Sequence, residues 1–132
     1  MKKALRTVII IVTSLVVLAG LSLLMGFPGL KETVNLEIND VELSRIPDGT
    51  YLGTYDNYRF STAVNVTVSD HTIKTIESVK IQDGRESLIK ELTDKIREEQ
   101  TPRLDDVSGA TASSNAYLKA VENALQNGIK TE

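Results

Sequence analysis

Cysteine is absent from this chain. That excludes a disulfide framework, thiolate metal centres, Fe–S clusters and a C-x-x-C-H haem attachment. His71 is the only histidine, so a multi-His metal centre cannot be assembled. No stretch reads G-x-G-x-x-G or G-x-x-x-x-G-K-[ST], which removes dinucleotide and Walker-type phosphate sites. Basic charge is also short: 15 Lys and Arg face 18 Asp and Glu. Setting aside Lys2, Lys3 and Arg6 leaves 12 against 18, a balance of −6 for the rest of the chain. A region that acidic is a poor binder of nucleic acid or anionic lipid.

Charge is missing altogether from Thr7 to Leu30, and the apolar run Val8–Met25 lies within that stretch. At ~1.5 Å per helical residue the run spans roughly 27 Å, close to the ~30 Å hydrocarbon core of a bilayer. Thr13, Ser14 and Ser22 can bond back to helix carbonyls and do not forbid insertion. Positive residues precede the run and only Lys31 follows closely, which predicts a cytoplasmic N-terminus and a domain outside the cytoplasm. A buried core helix is excluded by the lack of a polar face. A cleaved signal peptide is the competing reading, disfavoured by the long apolar region and the lack of an A-x-A-type site in Leu23-Leu-Met-Gly-Phe-Pro-Gly29.

Residues 1–30 thus read as a cytoplasmic stub with a single transmembrane anchor, 31–47 as a linker with a possible edge strand, and 48–132 as the folded domain. Pro47-Asp48-Gly49 signals a turn before the β-rich Thr50–Tyr55, which Gly53 interrupts. Val64, Val66 and Val68 alternate with polar residues in the clearest strand. Asp70-His71 predicts a hairpin turn with His71 at positive φ. Ile73 and Ile76 are out of phase with a period of two, which predicts a bulge in the returning strand. Helices are predicted over 84–100 and 115–127, the first with a Glu91–Lys95 pair and the second stopped by Gly128. The result is an α+β domain with an antiparallel sheet and two main helices. Asn65-Val-Thr67 matches a glycosylation triplet but lies inside a strand.

The chemistry concentrates between the two helices. Ser108, Thr111, Ser113 and Ser114 crowd together around Gly109 and Ala110, just before a helix start. Unpaired N–H groups and the helix dipole favour a phosphate there. The plainer alternative makes Ser113 or Ser114 an N-cap and the rest a small-residue loop. Autonomous nucleophilic catalysis by Ser108 or Thr111 lacks a base, since His71 sits far upstream in a turn. Tyr51, Tyr55, Tyr58 and Phe60 are the concentrated aromatics, suited to strand packing or to stacking on a flat ligand.

Asp105-x-x-Ser108-Gly109-Ala110-Thr111 resembles the flavinylation motif of the FMN-binding domain family, which includes the FMN-carrying subunits of the Rnf complex and of the sodium-translocating NADH:quinone reductase. Asp48–Gly53 resembles the family's opening turn and strand, Val64–Ile73 its central hairpin, and Val107–Leu125 its loop and last helix. A histidine replaces the more usual glycine of the hairpin turn, and residues 56–59 carry no glycine where some members have one.

The resemblance implies FMN linked through its phosphate to Thr111. It also implies Ser108, Gly109, Ala110, Asp105, Ser113 and Ser114 around the link, and a separate magnesium-dependent flavin transferase that uses FAD. A membrane-anchored electron carrier outside the cytoplasm is then expected, with a redox donor and acceptor unspecified, no catalytic residues of its own and no nucleic-acid partner. Noncovalent FMN binding, or a flavin-free surface interaction domain, are the alternatives.

Overall fold

A computed structural model describes residues 1–24, 28–105 and 111–130. Helix α1 (Lys2–Leu24) contains the apolar run. Its stretch Lys2–Ser22 is long and apolar enough to cross a membrane, and none of that stretch is buried.

Three antiparallel strands follow in the order β1 (Gly49–Tyr55), β2 (Thr62–Ser69) and β3 (Thr72–Lys80). Valine alternation in β2 gives Val64, Val66 and Val68 a common buried face. Asp70 and His71 take φ of 52° and 56° in the β2–β3 turn, the left-handed geometry predicted for His71. The register of β3 shifts twice. Lys74 is skipped between Thr75↔Thr67 and Ile73↔Val68, and Val79 between Lys80↔Ala63 and Ser78↔Val64. Skipping Lys74 returns Ile73 and Ile76 to one face, so the phase slip in the sequence is a bulge.

Helix α3 (Glu86–Glu99) buries Ile89, Leu92 and Ile96 and carries the Glu91–Lys95 pair at 3.1 Å. Gln100 ends it at positive φ, and its amide brackets the backbone of Ile73: Oε1 accepts from N–H at 2.7 Å and Nε2 donates to C=O at 3.1 Å.

Helix α4 runs Thr111–Lys130, longer at both ends than the predicted 115–127. Gly128 does not stop it. A Cβ there would lie 2.7 Å from Ile46 Cγ2 and 3.1 Å from the Tyr51 ring, so the glycine admits a close approach inside the helix. Tyr117, Leu118, Val121 and Leu125 join the strand valines in the core. Gly53 lets α4 cross β1 almost in backbone contact, and so β1 continues through it.

The predicted edge strand in 31–47 does not form. Leu30–Val34 is instead a short helix, α2. Thr33, Val41 and Ile46 are buried, so the segment packs on the domain. Side chains of α4 hold it by the main chain. Asn115 Nδ2 donates to the carbonyls of Thr33 (3.1 Å) and Val34 (3.0 Å), and Lys119 Nζ to that of Glu37 (3.0 Å). Glu122, 1% exposed, accepts from Asn39 N–H, Lys119 Nζ and Gln126 Nε2. Further along, Asn123 and Asn127 donate to the carbonyls of Thr54 and Leu52, both at 2.8 Å, covering the open edge of β1.

Candidate functional site

Thr111 is the first residue of α4 and is exposed. Beside it opens a depression of about 440 Å³, within the range of small-molecule sites. Three segments meet around it: Leu30 and Val34 of α2, Arg59 and Phe60, and Thr111, Ala112 and Ser113 of α4. Gln82 and Arg85, between β3 and α3, complete the lining.

Local structure explains the placement. Asn57 leads into a 3₁₀ turn, Tyr58–Phe60, in which Tyr58 takes φ 53° and points out while Phe60 turns in. Phe60 is 7% exposed and packs on Ala112 and Ala116, with Tyr55 against the same cluster. The Arg59 guanidinium carbon lies 6.0 Å from the Phe60 ring centre, at the limit of a cation–π contact. Gln82 ties the pieces together: its Nε2 donates to the Arg59 carbonyl, and its Oε1 accepts from Ser113 Oγ at 2.5 Å.

The predicted site residues separate into three groups. Thr111 and Ser113 line the depression. Ser114 is fully buried in the helix, and its Oγ has no hydrogen-bond partner among the described residues. Neither Ser113 nor Ser114 is an N-cap, because α4 begins ahead of both and turns them toward the core. Asp105 is exposed in the α3–α4 connection and is not among the lining residues. Ser108, Gly109 and Ala110 lie outside the described residues. His71 is exposed in its turn, with Nδ1 3.2 Å from the Leu43 carbonyl, and takes no part in the site. Of the aromatics, Phe60 alone lines the depression. Tyr55 is engaged by Thr33 Oγ1 at 2.8 Å, and Tyr51 OH donates to the Pro47 carbonyl at 2.6 Å.

Sequence reasoning missed Gln82, Arg85, Leu30 and Val34, and reached Arg59 only as part of the glycine-free stretch 56–59. They come from three separate segments with no common spacing. The one available signal was the i,i+4 apolar pair Leu30 and Val34, which reads equally as the tail of the apolar run.

The arrangement offers the hydroxyl of an exposed threonine at a helix start, an apolar wall and several hydrogen-bond donors. The sequence model of the FMN-binding domain matches residues 58–126, which takes in the hairpin, α3 and most of α4. The chain belongs to the FMN-binding domain family. Comparison with curated proteins and with solved structures gave no match. FMN is the cofactor this membership indicates, and the residues present fit it. Thr111 stands at the rim, where it would meet the phosphate, while Phe60 and Ala112 would offer apolar surface and Arg59, Gln82 and Arg85 donors to a ring with carbonyl and nitrogen acceptors. Among the described residues no cluster of His, Asp and Glu could hold a metal.

Proposed function

We propose that this is a membrane-anchored, extracytoplasmic electron carrier with FMN joined covalently to Thr111. The observation that carries the reading is the exposed Thr111 at the rim of an FMN-sized depression, within a domain of the FMN-binding family. Thr111 Oγ1 supplies the oxygen of a phosphoester to the FMN phosphorus of FAD. The pyrophosphate bond breaks, AMP leaves, and the hydroxyl proton passes to a base on the flavin transferase. An external base is needed because no imidazole stands at the site.

Bound FMN supplies reversible electron transfer. The chain's own groups set its surroundings. Phe60 and Ala112 keep water from one part of the depression, while Arg59 and Arg85 place positive charge in it, which favours a ring that gains electrons. Asp105, Ser108, Gly109 and Ala110 form the segment that the transferase reads, as the motif implies. The charge pattern around α1 supports a cytoplasmic N-terminus and an outer domain, so donor and acceptor meet the flavin outside the cytoplasm.

The test is Thr111→Ala in protein incubated with purified transferase and FAD, read by in-gel flavin fluorescence after denaturation. Wild type fluoresces and the variant does not. An exposed hydroxyl contributes under ~1 kcal/mol to the fold, so the variant melts close to wild type. Persistent fluorescence in Thr111→Ala would assign the link to another residue, and dark wild type would refute covalent attachment. Intact mass of membrane-purified protein reports the FMN and an uncleaved N-terminus together.

A further inference from the structure

The family match begins at residue 58, yet the depression beside Thr111 is walled in part by Leu30 and Val34. These two residues lie between the apolar helix and the matched domain. We propose that α2 is part of the flavin site, with Leu30 and Val34 in contact with the isoalloxazine ring; the proposal rests on the domain holding FMN in the depression beside Thr111.

A five-residue helix has no stability of its own in water. This one is pinned from three directions. Thr33 is fully buried, and its Oγ1 bonds the Gly29 carbonyl at 2.7 Å and Tyr55 OH at 2.8 Å. Asn57 Nδ2 donates to the Gly29 carbonyl at 3.2 Å, and Asn115 takes the carbonyls at the other end. With Thr33 facing in, Leu30 and Val34 are left 36% and 39% exposed on the depression, one turn apart. Their apolar surface continues that of Phe60 and Ala112, while Gln82 and Arg85 supply donors. An isoalloxazine has the same duality: a dimethylbenzene end that gains from apolar burial and a pyrimidine end rich in acceptors.

Chain length bounds the consequence. Leu30 is six positions beyond Leu24, so they lie at most roughly 20 Å apart at ~3.5 Å per residue. The ring is then tied to a segment that begins at the end of the apolar helix. The competing explanation for two exposed apolar side chains at this place is contact with the lipid surface.

The chain has no tryptophan, so Leu30→Trp introduces a single one. In the full-length flavinylated protein in nanodiscs, ring contact should dim native flavin fluorescence severalfold, with recovery on denaturation. Leu52→Trp, at an exposed position outside the depression, should leave it unchanged. Val34→Ser should lower native flavin anisotropy while in-gel fluorescence after denaturation stays at the wild-type level. Undimmed flavin in Leu30→Trp, or unchanged anisotropy in Val34→Ser, overturns the proposal and leaves lipid contact as the role of α2. If wild type proves to carry no covalent flavin, the same proteins are titrated with free FMN. About tenfold weaker binding by Val34→Ser, ~1.4 kcal/mol, supports the α2 contact, and equal binding overturns it. A wild type that neither carries nor binds FMN overturns both readings.

Discussion

Gly53→Ala isolates a close helix–strand approach in the domain. A Cβ on Gly53 would lie 1.9 Å from the Ala120 carbonyl oxygen and 2.4 Å from the Ala124 nitrogen. Both atoms belong to the α4 backbone, so no side-chain rotation can relieve the clash. Ordinary contact begins at 3.4 Å, and α4 must therefore withdraw from β1 by more than an ångström. That movement strains the 2.8 Å bonds from Asn123 and Asn127 to the β1 carbonyls. Overpacking costs up to ~3 kcal/mol, and weakening two hydrogen bonds adds roughly 1 kcal/mol. Against this, alanine restricts the unfolded chain more than glycine and returns about 0.4–1 kcal/mol. The net loss is about 3 kcal/mol, or roughly 12–20 °C in melting temperature for a domain of this size. Tyrosine fluorescence during a thermal scan of the full-length protein reads it, since the four tyrosines all lie in the folded domain. A melting temperature within a few degrees of wild type would show that α4 and β1 are not held at this separation.

His71→Gly should leave stability within ~1 kcal/mol of wild type, because glycine adopts the observed φ of 56° without a Cβ penalty; denaturant midpoints check this, and a larger loss would show that the bond to the Leu43 carbonyl matters more than the backbone. Glu122→Ala should cost roughly 2–3 kcal/mol, since it strands the Asn39 N–H and the half-buried Lys119 beneath 35–41; urea melts and proteolysis of that segment report the loss. Burial pushes the Tyr117 hydroxyl above its ordinary value of 10.0. The folded chain then keeps a proton that the unfolded chain releases, so this contribution is complete below pH 10 and is lost as pH rises beyond it. Tyr117→Phe should flatten that alkaline limb, at about 1 kcal/mol for the lost 2.6 Å bond to Thr93; urea midpoints on either side of pH 10 measure both effects, and an unchanged limb would refute the assignment to Tyr117.

What could be read from the sequence was whatever local periodicity encodes. Val64, Val66 and Val68 alternate because one face of β2 is buried, and the slip between Ile73 and Ile76 is the bulge itself. His71 was legible because a two-residue hairpin turn demands positive φ. The packing of 31–47 was not legible. Its anchors, Thr33, Val41 and Ile46, follow no period, and their partners lie on β1 and α4. The start of α4 was misplaced for a related reason: Ala112, Ser113 and Ser114 look like loop residues, yet their small size fits the helix beneath Phe60 and Gln82. Thr111 came from a contiguous motif, whereas the lining around it is assembled from segments that meet only in three dimensions.

The same tertiary contacts explain how an exposed threonine can have a fixed position. Thr111, Asn115, Lys119, Asn123 and Asn127 recur every four residues, so Thr111 opens the i,i+4 ridge of α4 whose other members all bond main-chain carbonyls. Bonds to main chain do not shift with rotamers of neighbouring side chains, and four carriers of such bonds along one helix fix both its rotation and its sliding. Gly53 fixes its distance from the sheet. An enzyme that must place Thr111 Oγ1 against a phosphorus atom gains from finding that oxygen held in place, because a misplacement of even ~1 Å can cost about a hundredfold in rate. The rigidity also extends one turn on, to Asn115 and α2, so the residue proposed for flavin attachment and the wall proposed for the ring are held by the same stretch of one helix.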